Sequence, residues 1–306
     1  MKNKKILVTG GAGFLGSRII EGFVTQGVPR ENIFVPLSKK LDLREKKNCE
    51  KAVQGRHIVS HAAGITGGGE FHRDHPGEIL YGNLVMGVEL MEAARKAGVE
   101  KFITIGSAAE YPEHAPMPLR EEDLWQGPLE ALHAPYAAAK KILLLQGQAY
   151  RKQYGFNAIH LLMANMYGPG DKRKNGFVIP MLIERVKETK ECGGSFIEVW
   201  GTGKPTRDFL YVDDAARGII LAVEEYDKLE PVNIASGIEI SIKELVAIIS
   251  ELMEFRGEIR WNTEKPDGQA RRLLDATKAE REFGFKAAIG FREGLQKTIA
   301  AHLANF

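Results

Sequence analysis

Three polar side chains, Ser107, Tyr136 and Lys140, are of the types that move a proton to or from a carbonyl or an alcohol. Tyr136 and Lys140 stand four residues apart in "PYAAAKK", which places them on one face of a helix. An unperturbed phenol titrates at about 10, and a neighbouring ammonium favours the phenolate. Ser107, at the end of the strand-like run "KFITIG", is placed to hold the same oxygen atom.

A glycine motif near the N-terminus predicts that a cofactor binds there. In "ILVTGGAGFLG", Gly10, Gly13 and Gly16 follow a predicted strand and open a predicted helix. Glycines let the backbone approach a pyrophosphate closely, and the helix N-terminus offers N–H groups and the positive end of its dipole. We therefore predict that this segment, with Phe14 and Leu15, binds a dinucleotide.

The second predicted strand indicates which dinucleotide. The run "NIFVPLSKKLDL" places Ser38, Lys39 and Lys40 where NAD-binding proteins carry a carboxylate for the ribose 2′-hydroxyl. Lysines suit a 2′-phosphate better, so we expect NADP(H), with NAD(H) as the alternative. Asp42 is expected to reach the adenine, and Leu43 belongs to the same predicted cofactor site.

The elements that position these residues follow from hydrophobic periodicity. Short apolar runs alternate with helical stretches up to about residue 165, which predicts a doubly wound parallel sheet of the Rossmann type, an α/β fold. The predicted strands are "KILV", "NIFV", "HIVS", "KFITI" and "NAIHLL", and the predicted helices cover 14–26, 77–96 and 135–154. Residues 1–165 are expected to bind the dinucleotide. Residues 166–306 are expected to form mainly a smaller substrate-binding lobe, with a return to the first domain around 207–235 and a final helix from about Phe291.

Composition excludes several classes of protein. The 306 residues carry a formal net charge of +2, so nothing favours nucleic acid or an anionic membrane as a partner. Cys49 and Cys192 match neither a disulfide framework nor a metal motif, which fits a reducing cytoplasm. No run approaches the roughly 20 apolar residues that span a bilayer, and no secretory signal is expected.

With these motifs in place, the chain resembles the extended short-chain dehydrogenase/reductases that act on nucleotide sugars, and within them the GDP-L-fucose synthase branch. The resemblance rests on "TGGAGFLG", "LDLRE", "HAAG", "GNLVMG", "PYAAAK", "NMYGPGD", "VIPMLI", "VWGTGKPTRDFLYVDD" and "KPDGQARRLLD". It implies a homodimer, a nucleotide-diphosphate sugar as substrate, and Ser107, Tyr136 and Lys140 as the catalytic set. Lys140 would also hold the nicotinamide ribose.

The resemblance implies roles for further residues. Asn83 would support the active site from the helix beneath it. Positions near the cofactor pyrophosphate and nicotinamide are Ala62, Ala63, Gly64 and Asn165. Positions expected to contact the substrate are Ser107, Asn165, Phe177, Arg185, Trp200, Arg207, Asp267 and Arg272. Arginine makes forked contacts to phosphate oxygens, and tryptophan offers an apolar wall.

Two departures from the family pattern reduce the number of reactions that this site is expected to catalyse. Fucose synthases carry a cysteine two residues after the catalytic serine and a histidine before "VIP", whereas this chain has Ala109 and Phe177. Neither side chain can move a proton, so the double epimerisation is disfavoured. Related dehydratases place Asp and Glu after the strand-end hydroxyl, where this chain has Ala108 and Ala109. Elimination of water is disfavoured for the same reason.

Other ionisable groups receive weaker interpretations. Glu110 and His133 are candidate proton shuttles, although Glu110 is expected to point away from Ser107 if the strand continues. The histidines of 57–75, including "HRDH", are not expected to bind metal. The basic loop "DKRKNG" is interpreted as a solvated charge run, with contact to substrate phosphates as the alternative.

Three functional hypotheses follow. The preferred one is an NADPH-dependent reductase that acts on the C4 ketone of a nucleotide-linked 4-keto-6-deoxy sugar. The second is a retaining C4 epimerase with tightly bound NAD(P), which needs the same three catalytic residues. The third is a non-catalytic dinucleotide-binding sensor, which the intact Tyr136 and Lys140 disfavour.

Overall fold

Strands and helices alternate along the chain in the computed structural model, which describes residues 1–171 and 176–304. Most of the basic loop "DKRKNG" lies outside the described residues. The strands are β1 Ile6–Thr9, β2 Ile33–Phe34, β3 Ile58–His61, β4 Lys101–Ser107, β5 Ala158–Met163, β6 Asn165–Tyr167, β7 Phe196–Trp200, β8 Thr206–Tyr211, β9 Val232–Ile234, β10 Glu239–Ser241, β11 Glu258–Asn262 and β12 Arg271–Arg272. The helices are α1 Phe14–Thr25, α2 Lys46–Val53, α3 Gly69–Asp74, α4 Pro76–Lys96, α5 Ala134–Tyr154, α6 Val178–Glu191, α7 Val212–Glu225, α8 Ile242–Leu252, α9 Thr277–Phe283 and α10 Phe291–Ala304.

A parallel sheet of six strands, in the order β2-β1-β3-β4-β5-β9, forms the centre of the molecule. Every residue of β1, β3 and β5 is buried, as expected for strands covered by helices on both faces. The predicted α/β fold of the Rossmann type is confirmed. The strand order reverses at β1, and ligands of such sheets bind in the crevice at this reversal.

The predicted helices agree with the structure to within two residues at each end. Glycine explains two of the helix ends. Gly155 follows α5 with φ +67°, and Gly98 lies two residues beyond α4 with φ +72°. Glycine reaches this left-handed conformation without a steric cost, so it ends a helix readily.

A second group of elements follows β5. The strands β6, β8, β10 and β12 form a small sheet, and β7 pairs with β11. The helices α6, α8 and α10 pack there around a separate apolar cluster. The chain also returns to the main sheet, since β9 pairs with β5 and α7 packs against α1. The predicted terminal helix is present as α10. No helix in the described part of the chain is long and apolar enough to cross a membrane.

Candidate active site

The loops after β1 and β3 touch at the crevice of the main sheet. The Thr9 hydroxyl accepts a hydrogen bond from the Ala63 amide at 3.1 Å and lies 2.8 Å from His61 Nδ1. Gly10 has φ +68°, and a Cβ atom there would come within 2.8 Å of the Ala63 nitrogen. The structure therefore brings the predicted cofactor residues of both loops, including Ala62, into one surface.

The N-terminus of α1 opens onto the same surface. Gly13 is its N-cap and makes no side-chain capping hydrogen bond, and the first turn carries no acidic residue. A Cβ atom on Gly16 would overlap the carbonyl oxygen of Gly10, so only glycine fits there. Phe14 and Leu15 form the first turn. Backbone N–H groups at such a terminus suit an anionic pyrophosphate, so these residues fit a dinucleotide.

The turn after β2 is exposed and basic. Ser38, Lys39 and Lys40 are exposed there. The Asp42 carboxylate accepts hydrogen bonds from Arg44 Nε and Nη2, and this guanidinium lowers the pKa of Asp42. The Leu43 side chain lies in the hydrophobic core. Sequence reasoning missed Arg44, although its position two residues after Asp42 in "LDLRE" was a visible signal.

The catalytic candidates lie where β4 ends and α5 begins. Tyr136 is in the first turn of α5, and the Lys140 ammonium lies 5.7 Å from the centre of the Tyr136 ring. Lys140 is 4% exposed, and burial lowers its pKa to about 8 although the negative charge of Glu110 acts in the opposite direction. A Cβ atom on Gly64 would lie 3.8 Å from Lys140 Nζ, so the loop after β3 lies close to this ammonium.

Asn83 holds that loop from α4. Its Oδ1 atom accepts from the Ile65 amide at 2.8 Å. Its Nδ2 atom donates to the carbonyl oxygens of Ile65 at 2.8 Å and Ile79 at 2.7 Å. The buried amide thus satisfies the backbone of the loop that ends at the cofactor surface, a supporting position of the kind expected for Asn83.

The expected orientation of Glu110 was wrong. The strand ends at Ser107, and Ala108–Glu110 form a short 3₁₀ turn. The Ala109 amide donates to Ser107 Oγ at 3.2 Å, while the Ser107 amide donates to Glu110 Oε1 at 2.7 Å. Glu110 therefore folds back and is fully buried. The spacing Ser-x-x-Glu is the sequence signature of this reciprocal capping, and it was overlooked in favour of strand alternation.

Two histidines lie beside Tyr136. The His72 ring is 5.8 Å from the Tyr136 ring, centre to centre, and 4.7 Å from the His133 ring. Burial lowers the pKa of His72 to about 4, and the His133 ring contacts the Glu130 carboxylate. Among the described residues, no group of three or more potential ligands could hold a metal ion. No sequence signal linked His72 to Tyr136, because only the packing of α3 near the start of α5 brings them together.

Two of the predicted substrate arginines are neighbours on paired strands. Arg272 of β12 lies opposite Arg207 of β8. Arg207 Nη1 donates to the carbonyl oxygen of Gln269 at 2.6 Å, and Arg272 Nε donates to the Gln269 side chain at 2.8 Å. Burial and the positive charge of Arg272 lower the pKa of Arg207 to about 10. Two adjacent guanidinium groups fit an anion with several oxygens, such as a diphosphate.

The remaining predicted substrate residues lie nearby or on adjoining elements. Asp267 accepts hydrogen bonds from the amide and hydroxyl of Thr202, which lower its pKa. Trp200 is 60% exposed at the end of β7. Arg185 donates to a β7 carbonyl oxygen, that of Glu198. Elsewhere, Asn165 Nδ2 lies 3.3 Å from the carbonyl oxygen of Asp208 on β8, and Phe177 is the N-cap residue of α6.

The parallel sheet, the glycine surface and the grouping of Ser107, Tyr136 and Lys140 are those of an enzyme of the extended short-chain dehydrogenase/reductase type. The non-catalytic sensor is thereby set aside. The NAD dependent epimerase/dehydratase family matches residues 6–235, and the chain belongs to this family. The predicted membership is confirmed.

Relatives cover the chain from end to end. The probable GDP-L-fucose synthase 1 of Oryza sativa subsp. japonica is 38% identical over 310 residues, which covers 99% of this chain and 93% of its own length. A solved GDP-6-OMe-4-keto-L-xylo-heptose reductase from C. jejuni superposes with a TM-score of 0.92 at 26% identity, covering 100% of this chain and 99% of that one. A GDP-mannoheptose C4 reductase from Campylobacter jejuni with NADP bound gives a TM-score of 0.89 at 28% identity, covering 99% of both chains.

Proposed function

We propose that this protein is an NADPH-dependent reductase of the C4 ketone in a GDP-linked 4-keto-6-deoxy sugar. One observation carries the proposal. The buried ammonium of Lys140 lies beside Tyr136, at the helix start that packs on the turn after Ser107. The residues that follow this serine, Ala108 and Ala109, carry no group that moves a proton. The names of the relatives support a GDP-linked sugar and a reduction at C4.

The proposed cofactor residues lie on the loops after β1, β2 and β3, on the first turn of α1 and on β6. The glycine surface and the first turn of α1 hold the pyrophosphate, and Ser38 with Lys39 holds the 2′-phosphate. The path toward the nicotinamide is lined by Ala62, Ala63, Gly64 and Asn165. The adenine end of the cofactor lies near Asp42 and Leu43. A solved relative with NADP bound supports the preference for NADP over NAD. When bound, NADPH supplies the hydride.

The chain's own residues hold the ketone and supply the proton. Ser107 Oγ already accepts a hydrogen bond from the Ala109 amide, which leaves its hydroxyl hydrogen free to be donated to the ketone oxygen. Tyr136 donates the proton that turns this oxygen into a hydroxyl group. Lys140 stabilises the resulting phenolate by its positive charge, because an ammonium in a dry site interacts strongly with a nearby anion.

The substrate is held mainly by the smaller lobe. Arg207 and Arg272 grip the diphosphate, Trp200 provides an apolar wall, and Asp267 binds a ribose hydroxyl. Arg185 supports the diphosphate side, and Phe177 lines the sugar pocket. We accordingly propose the division into residues 1–165 and 166–306. The return to the first domain, predicted around 207–235, is made by α7 and β9 after β8 has joined the small sheet.

The proposal excludes epimerisation at C3 and C5. Exchange of a carbon-bound proton beside the ketone needs a base and an acid, and the alanine at 109 and the phenylalanine at 177 are neither. Hydride transfer needs only the three catalytic residues. The product should therefore keep the C3 and C5 configuration of its substrate.

Nicotinamide absorbance and NMR together test this function. Purified protein is incubated in D2O with NADPH and a panel of GDP-linked and UDP-linked sugars, which includes both 4-keto sugars and sugars with a C4 hydroxyl group. We expect one NADPH oxidised per sugar reduced, with GDP sugars preferred and no deuterium at C3 or C5. Interconversion of C4 epimers without net NADPH use would show the retaining epimerase instead, and deuterium at C3 or C5 would show epimerisation.

We also propose a homodimer. The helices α4 and α5 pack side by side and leave large apolar side chains exposed. These are Leu80, Tyr81, Ile142, Leu145 and Tyr154, which are between 38% and 65% exposed. A second copy of the chain would cover them.

A further inference from the structure

A series of buried polar side chains lies beneath the end of β4. Glu110 is fully buried, and its Oε1 atom accepts a hydrogen bond from the Ser107 amide at 2.7 Å. Its Oε2 atom lies 2.9 Å from His160 Nε2. His160 Nδ1 lies 2.6 Å from Thr104 Oγ1. Both oxygens of the carboxylate are therefore held, which determines its position relative to Ser107.

The backbone before Ser107 leaves no space beside the Glu110 and His160 side chains. A Cβ atom on Gly106 would overlap both His160 Nε2 and Glu110 Oε1, so a side chain at position 106 would displace both groups. A carboxylate is costly to bury, and an apolar side chain of similar size would fill the space without that cost. The presence of Glu110 is therefore best explained by what its hydrogen bond and charge do for the neighbouring groups.

The turn that carries Glu110 packs on α5, the helix that carries Lys140. Burial lowers the pKa of Lys140 to about 8, and the negative charge of Glu110 opposes this shift. Tyr136 faces Lys140 from the same helix. His61 faces it from the end of β3, where burial and the charge of Lys140 lower the pKa of His61 to about 3, which leaves this histidine neutral.

Two further groups complete the charged surroundings. Lys141 is also buried, and its ammonium donates to the carbonyl oxygen of Leu124 at 2.5 Å. Burial lowers the pKa of Lys141, and the negative charge of Glu110 opposes this shift. His160 contacts Glu110 from β5, and a hydrogen bond between their facing atoms needs one proton, which lies on His160 when Glu110 is ionised. Glu110 is thus the carboxylate whose negative charge reaches both lysines.

We propose that Glu110 is a positioning residue with two separable functions: its Oε1 atom fixes the backbone of Ser107, and its carboxylate, on a turn that packs on α5, is the counter-charge of the buried Lys140 ammonium. His160 orients the carboxylate so that it performs both. This inference rests on the proposed reductase function, because that function gives Ser107 and Lys140 their roles.

Two substitutions separate the functions. Glu110→Gln keeps an oxygen for the Ser107 amide and removes the charge, so the pH above which kcat falls should move down by about 1 unit, with kcat at lower pH nearly unchanged. Glu110→Asp keeps the charge but draws the carboxylate back, so kcat should fall by about tenfold or more without a shift of the pH limit. Glu121→Gln is the control, because Glu121 Oε1 also accepts a backbone hydrogen bond, from the Asn233 amide at 2.8 Å.

A substrate-free measurement makes the inference independent of the proposed reaction. The pKa of Lys140 is read from the ¹³Cε signal of labelled lysine, assigned by its loss in Lys140→Arg. Exchange of the Ser107 amide with D2O reports the backbone contact. A lowered Lys140 pKa in Glu110→Gln and faster Ser107 exchange in Glu110→Asp would support both functions even if no 4-keto sugar is reduced.

Other outcomes overturn the inference. If both variants match Glu121→Gln in pH limit, kcat, Lys140 pKa and Ser107 exchange, Glu110 does not position the catalytic groups. Loss of near-UV circular dichroism in both variants would show that Glu110 serves folding alone.

A further outcome separates this inference from the proposed function. A wild-type protein without reductase activity, combined with the expected NMR shifts, would reject the proposed function and keep the electrostatic role of Glu110.

Discussion

Tyr136 and Lys140 differ in their exposure to solvent, and this difference suits their proposed roles. Tyr136 is half-buried at the start of α5, whereas Lys140 is 4% exposed one turn later. The phenol can therefore reach a substrate oxygen while the ammonium stays out of water, where its charge is little screened. Ser107 lies at the end of β4, and its hydroxyl group is positioned by the 3₁₀ turn that Glu110 closes.

Removal of the Tyr136 hydroxyl should stop turnover without loss of the cofactor. In Tyr136→Phe we expect kcat to fall by about 10²- to 10⁴-fold, the range that a general acid contributes, with NADPH affinity within about twofold. Tyr154→Phe, on the exposed end of the same helix, should keep full activity. Steady-state kinetics and fluorescence titration of NADPH test this, and an active Tyr136→Phe would remove the tyrosine from the mechanism.

The pH dependence of the reductase should follow Lys140. Its pKa in the folded protein is about 8, below the ordinary value of 10.5, because burial disfavours the ammonium. The ammonium form predominates below pH 8, so kcat should be constant there and fall as the pH rises through about 8. A kcat that rises across this range, or that stays constant to pH 10, would contradict a catalytic ammonium. The pH profile of kcat with saturating NADPH is the measurement.

At the scale of elements, the loop after β1, the N-terminus of α1 and the loop after β3 together form the proposed cofactor surface. The close approach of Gly10 to Ala63, and of Gly16 to Gly10, leaves no room for a side chain. Parallel strands end at the same edge of the sheet, so loops far apart in sequence meet there. The surface depends on glycine because backbone packs directly on backbone.

Gly16→Ala should damage this surface. Its Cβ atom would overlap the carbonyl oxygen of Gly10, which cannot move without shifting the loop. We expect NADPH affinity to fall by about tenfold or more and the protein to lose about 1–3 kcal/mol of unfolding free energy. Gly77→Ala is the matched control, because nothing lies within 4 Å of its added Cβ and the site is in the first turn of α4. Equal NADPH affinity in the two variants would contradict the conclusion that the close packing of Gly16 on Gly10 is needed for cofactor binding.

At the scale of the whole molecule, the outer faces of α4 and α5 differ from the rest of the surface. Leu145 is 54% exposed and Tyr81 is 65% exposed, which is unusual for side chains of this size on adjoining helices. The same two helices carry Asn83, Tyr136 and Lys140 on their inner sides. A dimer through these helices would therefore brace the active site from outside.

Leu145→Glu should convert the proposed dimer into a monomer. A carboxylate at the centre of an apolar interface would be buried without a partner, which costs more than the contact supplies. Leu303→Glu, at a 45% exposed leucine on α10, which packs on β8 and α8, should leave the assembly unchanged. Light scattering coupled to size exclusion measures the mass. A monomeric wild type, or a dimeric Leu145→Glu, would contradict this arrangement.

Local chemistry made much of the molecule predictable. The positions of β1–β5 and of α1, α4 and α5 followed from periodicity. The glycine loop followed from the close approach that a pyrophosphate needs. The spacing of Tyr136 and Lys140 follows from the helical turn. Glu110 shows where such reasoning fails, because alternation was applied past the point at which Ser107 caps a turn.

The sequence by itself determined the α/β fold, the dinucleotide motif and the identity of the three catalytic candidates, because each depends on residues close together in the chain. Only the tertiary structure decided that Glu110 meets His160, that Arg207 lies opposite Arg272, and that His72 lies against Tyr136. These pairs depend on strand register, on the turn after β4 and on the packing of α3 near α5. Such contacts join residues between 50 and 65 positions apart, for which no local rule specifies a partner.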